Sequence, residues 1–210
     1  MSSMSVVLTL IFSSACVAQQ WEVGALGGFG SYYNATVTNP TASVRAGYEP
    51  RLAIGAIFGQ NMYKYVSGEI RYMYLASSPV LKSQGTEANT SGYTNVVHYD
   101  LIFHAAPNES RLRPYFAAGG GITIYSATGR RFLTQPLSNF AVLTPVDDAK
   151  PMVSVGAGLK YLLSRDVQLR MDFHTYITPA PNSLFRPTPP STIHGWIYSF
   201  IPMVGISYVF

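Results

Sequence analysis

Beyond the first twenty residues, apolar and polar side chains alternate with period two, the mark of strands that set one face against an apolar medium. Val167-Gln168-Leu169-Arg170-Met171-Asp172-Phe173-His174 is the clearest stretch: Val, Leu, Met and Phe on one side, Gln, Arg, Asp and His on the other. Trp196, Tyr198, Phe200, Val204, Ile206, Tyr208 and Phe210 form one face of the last segment, against Ser199, Met203, Gly205 and Ser207. Val97, Tyr99, Leu101 and Phe103 oppose His98, Asp100 and His104, and Val153, Val155, Ala157 and Leu159 oppose Ser154, Gly156, Gly158 and Lys160. With the weaker stretches, the pattern predicts eight strands over 21–33, 42–58, 67–76, 94–105, 114–126, 150–162, 167–178 and 193–210.

The connections alternate in length. Segments 59–66, 106–113 and 163–166 are short, the last two with the turn residues Pro107-Asn108-Glu109-Ser110 and Ser164-Arg165-Asp166. Segments 34–41, 77–93, 127–149 and 179–192 are longer, polar or rich in Pro. Short turns at one end and long loops at the other are the plan of an up-and-down transmembrane barrel, with both termini on the periplasmic side. Size decides which face points inward. The apolar face is bulky at nearly every position, whereas the polar face mixes charges with Gly24, Gly28, Gly47, Gly55, Gly119, Gly121, Gly156, Gly158 and Gly205. An eight-stranded barrel has room inside only for side chains that fill it, so the mixed face is expected inside and the bulky apolar face on lipid.

Composition agrees. Charged residues are 11% of the 210, far below a soluble domain, and there are 15 Tyr, 11 Phe and 18 Gly. No stretch after residue 20 is apolar over the roughly 18 positions that a membrane helix needs. The formal net charge of +4 is spread along the chain, and no Lys/Arg cluster points to nucleic acid. At the N-terminus, Ser5 to Phe12 (SVVLTLIF) is a short apolar core, and Cys16-Val17-Ala18 places small residues before a cleavage after Ala18. Residues 1–18 are therefore expected to be a secretory signal peptide, and 19–210 the barrel. The competing reading is a lipoprotein signal with Cys16 acylated, although Ser13 stands where such signals carry Leu. Cys16 is the only cysteine, so removal of the leader leaves no thiol and no disulfide.

Two segments carry a family resemblance. Arg113-Pro114-Tyr115-Phe116-Ala117-Ala118-Gly119-Gly120-Gly121-Ile122 resembles the R-P-Y-x-x-x-G-x-G strand of the outer-membrane protein A and X barrels. Val204-Gly205-Ile206-Ser207-Tyr208-Val209-Phe210 resembles the terminal strand of such proteins, with alternate apolar residues and a carboxy-terminal aromatic. The resemblance implies residence in the bacterial outer membrane. It also implies that the barrel-assembly machinery reads Val204, Ile206, Tyr208 and Phe210. It does not extend to a periplasmic domain of the kind that grips peptidoglycan.

Candidate chemistry lies on the inward face: Glu22, Arg45, Glu49, Arg51, Glu69, Arg71, His98, Asp100, His104, Lys160, Arg170, Asp172 and His174. Charges so confined must pair, because an unpaired buried charge costs several kcal/mol. The expected outcome is a lumenal ion-pair network that fills the barrel, with Glu69 and Arg71 as the nearest partners for Arg170 and Asp172. The alternative is a narrow porin-like channel. A rise of about 3.3 Å per residue puts His98 and His104 about 20 Å apart, too far to share one ion. His98 with Asp100 and a cross-strand His174 stays open as a metal set, but no cofactor is expected. No histidine of the three has a Ser two residues away, and Gly119-Gly120-Gly121 lacks the Lys and helix of a phosphate loop. No enzyme activity is expected, a lipid-acting barrel enzyme being the least favoured reading. Trp21, Tyr32, Tyr33, Tyr63, Tyr65, Tyr125, Tyr161 and Trp196 are placed for interfacial girdles. The expectation is an integral outer-membrane protein in contact with lipid, with a structural role or a surface ligand bound through loops 77–93 and 127–149.

Overall fold

The structure, a computed structural model, describes residues 20–210 apart from 41, 84 and 129–134. The expected leader, with Cys16 and Ala18, lies outside the described residues. In chain order the strands are β1 (Gln20–Tyr33), β2 (Ala35–Thr38), β3 (Ser43–Tyr48), β4 (Arg51–Tyr63), β5 (Val66–Leu75), β6 (Pro79–Ser83), β7 (Thr86–Asn89) and β8 (Gly92–His104). There follow β9 (Leu112–Ala127), β10 (Ala141–Leu143), β11 (Asp147–Leu162), β12 (Val167–Pro179), β13 (Phe185–Pro187), β14 (Thr192–His194) and β15 (Trp196–Val209).

Eight of these close into an antiparallel barrel in the order β1-β15-β12-β11-β9-β8-β5-β4, so the last strand pairs with the first. The period-two pattern sets the faces. Val153, Met171, Phe173, Val204 and Ile206 are exposed on the outer wall, while Ser154, Arg170, Asp172, Met203 and Ser207 are buried inside. Inside, strands crowd one another: a Cβ on Gly119 would lie 1.9 Å from the Tyr99 carbonyl oxygen and 2.3 Å from Asp100 Oδ1, so only glycine fits there. At the end carrying both chain ends the turns are short, β4 and β5 being joined by Lys64 and Tyr65 alone, with a register shift at Asn61/Tyr63.

The second strand expected over 42–58 is in fact two. Pro50 has no N–H to give to a ladder and holds the residue before it away from helical geometry, and the chain turns at Glu49-Pro50. Only β4 enters the barrel; β3 joins a separate five-stranded sheet in the order β14-β2-β3-β6-β7. This corrects three assignments to the lumen. Arg45 is exposed on β3, and Arg51 pairs with Glu49 at 3.1 Å at the surface, the two side chains 52% and 25% exposed. Gly47 belongs to the same sheet.

The described parts of the long connections thus form strands. The five-stranded sheet and the β10–β13 pair share a core of Val37, Val44, Ala46, Tyr48, Leu81, Phe140, Leu143, Leu184 and Phe185. Tyr125 of β9 and Ile197 of β15 belong to that cluster, which welds this cap to the outer rim of the barrel. Tyr48 stacks on Tyr125 at 5.0 Å and meets Phe185 edge-on at 5.7 Å. Burial, with the Tyr125 and Tyr32 phenols beside it, pushes the Tyr48 hydroxyl well above its ordinary range.

Candidate functional site

β1, β5, β11 and β12 bring charged side chains to one level of the lumen near the short-turn end. Arg170 is at its centre, donating to Glu69 Oε2 at 2.7 Å and to Glu22 Oε1 at 3.0 Å. Lys160 pairs with the other oxygen of Glu22. Arg71 reaches Glu69 Oε1 at 2.7 Å and Asp172 Oδ2 at 2.9 Å. All of these side chains are buried. Each carboxylate therefore stands between two cations; Arg170, Glu69, Arg71 and Asp172 close a ring through the 3.6 Å Arg170–Asp172 pair, and each guanidinium has at least two anionic neighbours. Hydrogen bonds of this charge-assisted kind are the strong ones.

One level further toward the cap, Asp100 accepts from two histidines, His98 Nδ1 at 3.1 Å and His174 Nε2 at 3.2 Å. His174 Nδ1 faces Arg71 Nη1 at 3.2 Å, and His98 Nε2 faces the Tyr176 hydroxyl at 3.1 Å. Arginine can only donate, so His174 carries its proton on Nε2. His98 then donates through Nδ1 and accepts from Tyr176. Both ring nitrogens of each histidine are occupied in hydrogen bonds, and none is left to ligate an ion. Among the described residues no group of three or more His, Cys, Asp or Glu is placed to hold a metal.

His104 sits apart, at the mouth on the short-turn side. Its Nε2 is 2.8 Å from Ser67 Oγ, which itself donates to Asn61 Oδ1 at 2.7 Å. Spacing along the chain concealed this Ser–His contact, since 37 residues separate the pair. It is not a nucleophile with its base. Nδ1 of His104 has no acceptor to orient it, Ser67 spends its proton on Asn61, and both groups are buried.

Several inward residues escaped the reading of the sequence. Tyr115 donates to Asp172 and receives Arg170 Nη2 at 3.2 Å, Tyr176 caps His98, and Arg113 is buried with Nη2 on Asn108 Oδ1 at 2.7 Å. Their phase was available: Arg113 and Tyr115 share parity with the inward Gly119 and Gly121, and Tyr176 with His174. Two aromatics expected in the rim girdle lie elsewhere. Tyr125 is buried with its hydroxyl on Thr178 Oγ1, and Tyr32 packs against the cap core.

Val204, Ile206, Tyr208 and Phe210 share the outer face of the last segment and are exposed. Phe210 closes the seam: its N–H donates to the Trp21 carbonyl and its own carbonyl accepts from Trp21 N–H, both at 2.9 Å.

The outer face of the cap sheet carries a cross-strand row, His194–Thr36–Arg45–Lys82–Glu87. Beside it a cleft of about 520 Å³ is lined by Thr36, Ser43, Arg45, Lys82 and Thr86. Lys82 holds Glu87 at 3.1 Å, and that hydrogen bond keeps the carboxyl below its ordinary range.

No protein-family model matches the sequence, and no characterised protein matches it either. Solved structures do. Neisserial surface protein A superposes over 90% of this chain and 96% of its own, with a TM-score of 0.55 and 12% identity. The fold is that of the small outer-membrane β-barrels. OprG from Pseudomonas aeruginosa (TM-score 0.50, 14% identity, 90% and 95% covered) has the same architecture. So does AlkL, whose structure was determined in DMPC lipid bilayers (0.50, 16%, 90% of each chain).

Proposed function

We propose that the protein is an integral protein of the bacterial outer membrane whose barrel is a sealed anchor and whose cap is the working surface. One observation carries the reading: the lumen is crossed at one level by the ion-pair chain Lys160–Glu22–Arg170–Glu69–Arg71–Asp172. An eight-stranded wall leaves no room beside such a layer, and the apolar cap closes the other end. The role is structural or one of surface recognition, with the Thr36, Arg45 and Lys82 face offering hydroxyls and cations to a ligand outside the cell. The chain carries a leader ending at Ala18, barrel 19–210 is the mature protein, and Val204, Ile206, Tyr208 and Phe210 form the strand read by the assembly machinery. No catalytic role belongs to this reading; among the described residues the Ser67–His104 contact has no third group to orient it.

Planar-bilayer recording tests the sealed anchor against the narrow channel. The purified protein is expected to insert without unitary conductance steps at neutral pH. Regular ion-conducting steps that vanish when Arg170 is replaced would establish the channel instead.

A further inference from the structure

The outer wall is not uniform. On the side formed by β1, β15, β12 and β11 there is a groove of about 590 Å³ at mid-height. Its floor is Gly27, Ala157 and Pro202, all outward and exposed. Phe29, Met171, Phe173 and Val204 stand above it as walls. Neighbouring outward rows explain the shape. Gly27 is paired with Val204, and Val204 with Met171; in the next row Pro202 is paired with Phe173, and Phe173 with Ala157. The short residues Gly27, Pro202 and Ala157 thus lie among tall ones across four strands.

Two features set this place apart from the rest of the wall. The first is the backbone. The β1–β15 ladder runs from Glu22–Val209 to Gly28–Met203 and resumes only at Ser31–Phe200. Pro202 lies in the interval and has no N–H to contribute, a residue normally confined to sheet edges, which a closed barrel does not have. The second is Gly27. Outward Gly68 is covered by its neighbour, since a Cβ there would strike the Tyr99 hydroxyl at 2.0 Å. A Cβ on Gly27 would meet nothing within 4 Å. Packing within the chain does not require glycine at 27, and a side chain there would fill the groove.

We infer that this groove is a binding site for one acyl chain of the surrounding membrane lipid, held against Gly27, Ala157 and Pro202 between Phe29, Phe173 and Val204. The chemistry is that of an unbranched hydrocarbon: the exposed part of the site is apolar, it is continuous with the apolar belt of the barrel, and Asp172, the one charged residue along it, has its side chain buried in the lumenal ion pairs. Close packing of a chain into a fitted groove recovers dispersion contacts that a fluid chain on a convex wall does not make. The inference rests on the proposed placement of the apolar wall in lipid.

Photolabelling with a fatty acid that carries a diazirine on its chain, in reconstituted vesicles, separates the two. Peptide mapping is expected to find label on Met171, Phe173 and Val204 several-fold above Tyr72, Val97 and Tyr99 on the opposite wall. Gly27→Phe, whose Cβ meets no heavy atom within 4 Å, should bring the groove down to the level of the opposite wall, and Ala157→Phe should do the same. Equal labelling all round, or a groove signal untouched by Gly27→Phe, overturns the site while leaving the membrane reading intact. Absence of label from both walls overturns the membrane reading itself. A groove that is silent in vesicles while crosslinked dimers appear assigns it to a second copy of the chain and overturns the lipid site.

Discussion

The barrel interior and the cap stop up the two halves of the same tube by opposite means. Near the short-turn end the strands are held across the lumen by four carboxylates, two arginines, a lysine and two histidines, almost every polar atom engaged. At the other end the cap packs Val37, Leu81, Phe140, Leu184 and Phe185 as a soluble domain packs its core. The turnover lies within the barrel, where Leu26, Ile57, Met73, Val96, Met152 and Ile201 form an inward apolar layer between the two. The difference follows from what lies outside. In the proposed placement the barrel has lipid against its wall and the cap has water around it, so the barrel's apolar residues are committed outward and its polar ones must satisfy each other inside. The cap can keep its hydrocarbon within.

On that contrast, the seam of the wall is where damage is greatest. Deleting Phe210 removes both main-chain bonds to Trp21 and the last aromatic of the outward row. It is expected to abolish most membrane insertion in cells, while removal of several residues from the 127–149 loop leaves insertion near normal; fractionation and protease shaving report both. Refolding into detergent should suffer less, because no assembly machinery acts there.

Within the lumen, Arg170→Met strands Glu22 and Glu69 without their shared cation. The expected loss is about 3–5 kcal/mol, read as a lowered unfolding midpoint in detergent. Combining Arg170→Met with Glu69→Gln should cost less than the two single losses added together. Additive effects would mean that the buried charges do not act as one layer. In the cap, Phe185→Ala should cost about 3–5 kcal/mol of local stability, as for a large core aromatic. Proteolysis within 135–195 would accelerate, whereas the barrel itself would keep its resistance to SDS without heating. At the outer surface, Arg51→Ala should change the midpoint by less than about 1 kcal/mol, because the Glu49 pair is solvated.

The same contrast explains what was legible in the sequence. Wherever a strand has one face on the apolar wall and the other on the lumen, alternation sets its phase, as from Val167 to His174; seven barrel strands match the expected ranges closely, and β4 is the one merged with β3 and ended short, at residue 58. Inward phase offers Glu69 and Arg71 only as the nearest guesses for the partners of Arg170 and Asp172; which cation meets which carboxylate is set by register around the barrel. The cap had no such signal. Its strands are three to six residues long and buried on one face only, and their Ser, Thr, Pro and Gly content reads as loop. β3 differs for the opposite reason: its alternation is genuine but faces water and the cap core, so the pattern puts Arg45 in a lumen it never enters, while Glu49 in the following turn and Arg51 at the outer end of β4 pair at the surface. Contacts such as Ser67 with His104 depend on register around the barrel, which no local pattern contains.

Spin labels at single cysteines test the contrast most directly, since the sequence has one cysteine, Cys16, which a serine replaces. In reconstituted vesicles, labels at Val153, Met171 and Val204 should relax mainly with oxygen, which concentrates in lipid, and labels at Thr36 and Lys82 mainly with a water-soluble nickel chelate. A chelate that reaches Val153 as readily as Thr36 would put the apolar wall in water and contradict the account.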